Sequence, residues 1–146
     1  MLLLTIIELL CPSYSRGQEK YGEKYAVTVT YKDTTNRLKS NSAERRFDKE
    51  KLYIFFEIYY SNDTVSIKTN LDDRFKTIYL TTNPVLDVAD VVEFDNLEKI
   101  KWIEIKKNNG KTLKIQIKEK WMNKWAVNYY QNTLRACPLN FAPFYD

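Results

Sequence analysis

The sequence predicts an all-β fold, either an antiparallel β-sandwich or a jelly roll, on the basis of three observations. Short segments in which apolar and polar residues alternate recur along the chain, and such alternation is typical of half-buried strands. Asn, Asp and Pro residues separate these segments about every 10 to 15 residues, with no convincing helix between them. Eleven Tyr, seven Phe and three Trp supply the apolar surface of a core. A closed barrel of the lipocalin type is the main alternative.

The N-terminal segment 1–15 is predicted to be a secretory signal peptide. Its first ten residues are mostly apolar, and Ser13 and Ser15 suit signal peptidase, with cleavage before Arg16. Glu8 interrupts the apolar run, and the alternative is a buried first strand or helix of the domain. The run is too short to span a bilayer, so we expect no membrane span.

The rest of the chain divides into a flexible lead, residues 16–24, and one β-rich domain, residues 25–146. Asn62 heads an Asn-Asp-Thr sequon at a predicted turn and is a candidate N-glycosylation site. Cys11 would leave with the signal peptide, so Cys137 is a candidate for an intermolecular disulfide in a homodimer. A free buried thiol is the alternative for Cys137, and the two cysteines could pair if the N-terminal segment is retained.

The first strands follow from alternation. Residues 25–31 place four apolar side chains on one face: Tyr25, Val27, Val29 and Tyr31. Residues 43–50 are charged and predict a helical turn or a short strand. Residues 52–60 are apolar on both faces, which indicates a central strand covered on both sides. Residues 64–69 alternate again after a turn at 61–63, so this strand and the preceding one are predicted to form a β-hairpin.

The next hairpin is predicted from its turn. Residues 100–106 and 112–118 alternate on either side of Asn109-Gly110, and Asn-Gly supplies the positive φ values that tight hairpin turns require. The side chains predicted to face inward are Ile103, Ile105, Leu113, Ile115 and Ile117. Those predicted to face outward on the first arm are Trp102, Glu104 and Lys106.

The remaining segments give weaker patterns. Residues 74–81 predict a strand that Asn83-Pro84 ends, whereas residues 85–94 fit either a strand or a helical turn. Residues 125–130 are predicted to form a strand, although a helical face is the alternative. Residues 137–146 are predicted to be an extended tail that packs apolar side chains onto the sheet: Leu139, Phe141 and Phe144.

Composition excludes several kinds of chemistry. The chain has no histidine, which excludes Ser-His-Asp and Cys-His catalysis and histidine-bound metals. It has only three glycines, and no glycine-rich phosphate loop is present. We therefore predict no metal and no cofactor. The net charge is +4, and lysines alternate with apolar residues along strands, a pattern that disfavours nucleic acid as the partner.

The aromatic residues near the C-terminus are the candidate ligand-binding residues. Sugars stack on exposed Trp and Tyr rings, although such rings in small β domains also pack in the core. The candidates are Trp102, Trp121, Trp125, Tyr129 and Tyr130. We expect a secreted, non-catalytic module that binds an extracellular protein or glycan surface.

Two alternative functions remain at this point. A carrier of a small hydrophobic ligand would use residues 52–60 to line an internal cavity. A carboxylate-dependent enzyme resembling glycoside hydrolases in its chemistry would use Glu104 beside Trp102. Such an enzyme needs a second carboxylate within about 5–10 Å, and no second one is marked by a motif.

Overall fold

Nine strands in two sheets make up the part of the chain that the computed structural model describes, residues 22–145. A one-turn helix, α1, precedes the second strand, and a short 3-10 helix lies at Leu97–Lys99. The elements are β1 Ala26–Val29, α1 Asn41–Glu44, β2 Leu52–Phe56, β3 Asp63–Thr69, β4 Lys76–Leu80, β5 Asp90–Phe94, β6 Trp102–Lys107, β7 Leu113–Gln116, β8 Lys124–Tyr130 and β9 Thr133–Pro138.

The two sheets differ in pairing direction. The five-stranded sheet has the order β1-β9-β8-β2-β5, and in it β1 runs parallel to β9 and β2 runs parallel to β8. The four-stranded sheet has the order β4-β3-β6-β7, with antiparallel pairs throughout. The sheets are not closed into a barrel. The predicted sandwich is therefore confirmed, and the lipocalin-like alternative is wrong.

The main core lies between the sheets, where alternate residues of each strand point inward. Both sheets contribute fully buried side chains, and burying each aliphatic one contributes about 1.5–3 kcal/mol. The largest include Leu52, Ile54, Phe56, Ile67, Ile103, Ile105, Leu113, Ile115, Trp125 and Leu134. Strand β1 and the residues on either side of it add Tyr25, Val27, Val29 and Tyr31, as the alternation predicts.

Strand β2 is buried on both faces, which confirms the predicted central strand. Tyr53 and Phe55 face away from the main core and form a second apolar cluster with Ala126 and Leu139. Leu139 is fully buried there, as predicted for the C-terminal tail, whereas Phe144 is 48% exposed. The tail therefore covers the outer face of β2 with only part of its apolar residues.

The predicted hairpin of residues 52–60 and 64–69 is wrong, because β2 and β3 belong to different sheets. Both edges of β2 are occupied, by β5 and by β8, so β3 has no free edge to pair with. The chain instead crosses between the sheets through Tyr59 and Asn62, which adopt φ values of 66° and 49°. The turn at 61–63 is present, but it joins the two layers of the sandwich.

The β6–β7 hairpin is confirmed, with Ile105 opposite Leu113 and Ile103 opposite Ile115. Its turn uses positive φ values at Asn108 (46°) and Asn109 (54°), and no glycine of the described residues has a positive φ. Gly110 is needed for space instead. A Cβ atom there would lie 2.2 Å from Cε1 of Tyr25.

Three uncertain segments take definite forms. The segment 43–50 contains the end of helix α1, which Ser40 caps by accepting a hydrogen bond from the Ala43 amide. The segment 85–94 contains strand β5, and residues 125–130 lie in β8. The predicted signal peptide 1–15, with Cys11, lies outside the described residues. None of the described helices is long and apolar enough to cross a membrane.

Candidate functional site

The five aromatic residues predicted to bind ligand do not share one surface. Trp125 is fully buried in the core and offers no surface to a ligand. Trp102 lies on the outer face of the four-stranded sheet, beneath the Lys114 ammonium at 4.6 Å from the ring centroid. Trp121, three residues before β8, is 42% exposed, and Tyr130, the last residue of β8, is 46% exposed.

Tyr129 belongs to a buried polar network at one end of the sandwich. Its hydroxyl donates to Oε1 of Glu23 at 3.0 Å, and its ring lies 3.9 Å from the Lys107 ammonium. Burial, together with the hydrogen bond and charge of Glu23, raises the pKa of Tyr129 to about 12. These contacts give Tyr129 a structural role. Glu23 lies at the end of the segment predicted to be a flexible lead, most of which is outside the described residues.

Tyr130 pairs with a residue that the sequence did not mark, Tyr59. Their rings stack with centroids 5.4 Å apart and planes inclined by 27°. Tyr59 is 60% exposed and has a positive φ of 66°, a conformation that is strained for a bulky side chain. The fold therefore holds two accessible aromatic rings together at the cost of backbone strain, which is common at functional sites.

A cavity of about 560 Å³ lies beside this pair, on the outer face of the five-stranded sheet. We call it the outer cavity. Threonine hydroxyls, one guanidinium and small apolar side chains line it. Its lining residues are Thr28, Thr30, Thr34, Thr35, Ile58, Ala126, Asn128, Tyr130, Arg135, Ala136 and Cys137. Such a mixture of apolar surface with a few polar groups is typical of a ligand site.

Glu57 fixes the chain segment that presents Tyr59. It is 5% exposed, is paired with Arg37, and accepts hydrogen bonds from the Tyr145 hydroxyl at 2.8 Å and from Nδ2 of Asn128 at 3.2 Å. Oδ1 of Asn128 in turn accepts from the Ile58 amide at 2.9 Å. Burial and the charge of Glu57 raise the pKa of Tyr145. Asn128 therefore links the buried Glu57 cluster to the rim of the outer cavity.

Sequence reasoning missed this cluster because its members are far apart in the chain. Residues 52–60 were predicted to form an apolar strand, and Glu57 is the one charged residue in that segment. Glu57 was therefore the available clue. A carboxylate in a strand that is apolar on both faces must be paired when it is buried. Nothing in the sequence identifies Arg37 or Tyr145 as its partners.

Cys137 and Asn62 occupy different environments. Cys137 is half-buried in the lining of the outer cavity, forms no disulfide among the described residues, and has a pKa raised by burial. Its intermolecular disulfide stays a prediction. Asn62 is exposed, and its side-chain oxygen Oδ1 accepts a hydrogen bond from the Thr81 hydroxyl at 3.3 Å. Glycosylation there also stays a prediction.

The residues of the two alternative functions are placed as follows. Tyr53 and Phe55, expected to line a carrier's cavity, pack in the second apolar cluster. Glu104 lies opposite Lys114 on the four-stranded sheet, with 3.8 Å between their charged atoms. Among residues 22–145, no group of three or more Cys, Asp and Glu side chains is arranged to hold a metal ion.

No protein-family model matches the chain, and no curated protein is significantly similar to it. The functional assignment therefore depends on the geometry of the site.

Proposed function

We propose that this protein is a secreted, non-catalytic binding module that holds an extracellular glycan at the outer cavity. The observation that carries the proposal is the stacked, exposed pair Tyr59–Tyr130 at the cavity rim. The positive φ of Tyr59 follows directly after Ile58, whose amide donates to the side chain of Asn128. A strained residue that its surroundings hold in place is common at functional sites.

The chemistry of the outer cavity suits a sugar ring. The C–H face of a pyranose packs against aromatic rings, which are large and rigid contact surfaces. The sugar hydroxyls need donors and acceptors, and the cavity lining supplies threonine hydroxyls and the Arg135 guanidinium. Arg135 is exposed and forms no ion pair within residues 22–145, so its donors are available.

Binding is favoured over catalysis because the carboxylate next to the cavity is already engaged. Glu57 accepts from Arg37, Tyr145 and Asn128, and a general acid or base must be free to exchange its proton with a substrate. Glu57 is better suited to positioning the rim. Secretion and glycosylation at Asn62 belong to the same proposal, since an exposed sequon is accessible to the glycosylation machinery.

The test is a calorimetric titration with a panel of neutral oligosaccharides. Tyr130→Ala removes one ring of the pair, and we expect binding to weaken by about twofold to tenfold. The matched control is Tyr79→Ala, which removes an 81% exposed ring from the other sheet and should leave binding unchanged. Absence of binding to every sugar, or an equal loss in both variants, would overturn the proposal.

A further inference from the structure

A second depression, the basic groove, lies between the segment that carries α1 and the residues that lead into β8. Its volume is about 980 Å³. Its lining residues are Lys39, Asn41, Glu44, Arg45, Phe47, Lys49, Glu50, Lys120, Trp121, Asn123, Lys124 and Asn140. None of them lines the outer cavity, so the two depressions are separate.

The groove concentrates positive charge. Five basic side chains line it against two acidic ones, an excess of three positive charges. None of the five basic residues forms an ion pair within residues 22–145. Glu44 accepts a hydrogen bond from the Ala142 amide at 2.5 Å, so its carboxylate is partly engaged by the C-terminal segment. Clefts lined by one sign of charge attract ions of the opposite sign.

Lys124 is the unusual member of this set. It is only 9% exposed, and its ammonium donates to one neutral acceptor, Oδ1 of Asn123, at 3.0 Å. An ammonium has three donors, and a buried charge without a charged partner costs free energy. Burial lowers the pKa of Lys124, an effect that the charge of Glu44 opposes and that of Lys49 reinforces.

An aromatic ring stands beside these cations. Trp121 is 42% exposed, and its indole N–H donates to Oε2 of Glu119 at 2.8 Å, which orients the ring. Sugar rings pack against indole surfaces as they do against tyrosine. The groove therefore combines donors for an anion with a surface for the ring that carries it.

We propose that the basic groove binds a sulfate or phosphate ester carried on a sugar ring. The Lys124 ammonium is the deepest donor to the oxyanion, the surrounding lysines and Arg45 complete its charge balance, and Trp121 contacts the sugar ring. The anion supplies acceptors that the buried ammonium lacks among residues 22–145.

The test is a calorimetric titration at low salt with glucose 6-phosphate, glucose 6-sulfate, inorganic sulfate and glucose. We expect one or both esters to bind more tightly than glucose, and the tighter ester identifies the anionic group. Any binding of glucose should be unchanged in Lys124→Met. Lys124→Met should weaken ester binding by about tenfold to a hundredfold, as expected for loss of a charge-assisted hydrogen bond. Trp121→Ala should weaken the esters but leave inorganic sulfate unchanged.

Two controls separate this site from general charge and from the outer cavity. Lys76→Met removes an exposed lysine of β4 and should leave ester binding unchanged. Tyr130→Ala should also leave it unchanged, so the two proposals fail independently. Absence of ester binding to the wild type, wild-type affinity in folded Lys124→Met, or an equal loss in Lys76→Met would overturn the proposal.

Discussion

Two buried lysines, Lys107 and Lys124, differ in whether carboxylates of the described chain neutralise their charge. Lys107 is 2% exposed, and its ammonium lies 2.5 Å from Oε2 of Glu23 and 3.1 Å from Oδ1 of Asp63. The face of the Tyr129 ring covers it at 3.9 Å. Lys124 is 9% exposed, and among residues 22–145 its ammonium has one amide oxygen as its partner.

The difference indicates two roles for the same residue type. The Lys107 network joins the lead segment to β3 and β6 of one sheet and to β8 of the other, so its charge is neutralised within the fold. Lys124 lines an open groove, and its charge is left for a ligand. A buried charge that the chain neutralises belongs to the fold, whereas a buried charge without an ion-pair partner in an open groove is a candidate for ligand binding.

The largest expected effect is that of Lys107→Met. Removing one member of a buried ion pair leaves uncompensated charge, so we expect a loss of about 3–5 kcal/mol in the free energy of unfolding. Urea denaturation measures it. Lys106→Met is the matched control, because Lys106 faces outward over the Phe75 ring and should cost about 1 kcal/mol or less. An equal loss of stability in Lys107→Met and Lys106→Met would show that the buried ion pairs of Lys107 add nothing to the stability of the fold.

Asn108→Gly should have the next largest effect. The side-chain Nδ2 of Asn108 donates to Glu23 at 2.9 Å and to Asp63 at 2.7 Å, and its side-chain Oδ1 accepts from the Thr64 backbone amide at 2.8 Å. Glycine keeps the positive φ but loses these bonds, at about 1–3 kcal/mol in urea unfolding. Asn109→Gly alters the exposed neighbour in the same turn and should change stability by about 0.5 kcal/mol or less. Similar losses of stability in Asn108→Gly and Asn109→Gly would contradict a stabilising role for the hydrogen bonds of Asn108.

Glu23 makes the network sensitive to acid. Burial alone raises its pKa, but hydrogen bonds from Lys107, Asn108 and Tyr129 and the Lys107 charge outweigh burial, so the pKa lies below 4.5. A depressed carboxyl pKa adds stability above the unfolded value and loses it as pH falls through the folded value. Unfolding measured from pH 7 down through this window should therefore show a shallower pH dependence in Glu23→Gln. If the free energy of unfolding falls with pH as steeply in Glu23→Gln as in the wild type, Glu23 does not contribute to the acid sensitivity.

Lys124→Met should cause the smallest loss, or none. The methionine side chain fills similar space without a buried charge, and replacing buried charged groups by apolar ones of similar volume is often neutral or stabilising. We expect a free energy of unfolding within about 1 kcal/mol of the wild type, or above it. A loss as large as that of Lys107→Met would show that Lys124 is needed by the fold.

Alternation along the chain predicted the class of fold. The Asn109-Gly110 turn predicted the β6–β7 hairpin, and the apolar run 52–60 predicted the doubly buried β2. Alternation could not predict that β2 pairs with β5 and β8, because those partners lie far along the chain and local patterns do not show which strand edges are occupied. The same alternation places Lys107 on the buried side with Ile103 and Ile105, a signal that was available in the sequence.

The candidate sites were less accessible to sequence reasoning. Tyr130 was predicted, but its partner Tyr59 appeared to continue a strand, and only its backbone conformation and stacking identify it. Lys124 begins β8, in a run where successive residues are buried on both faces, so periodicity does not distinguish its environment. The basic groove is also lined by residues between 39 and 50, which lie far from Lys124 in the sequence. A local pattern does not reveal such a long-range contact.

Urea unfolding of the wild type and of Lys124→Met, each with and without the ester that binds more tightly in the calorimetric titration, tests the contrast between the two lysines most directly. A ligand that binds the folded state stabilises it by mass action. We predict that the ester stabilises the wild type and not Lys124→Met, and that the variant alone is at least about as stable as the wild type. Equal stabilisation of both proteins, or marked destabilisation of the variant, would contradict the assignment of Lys124 to a ligand.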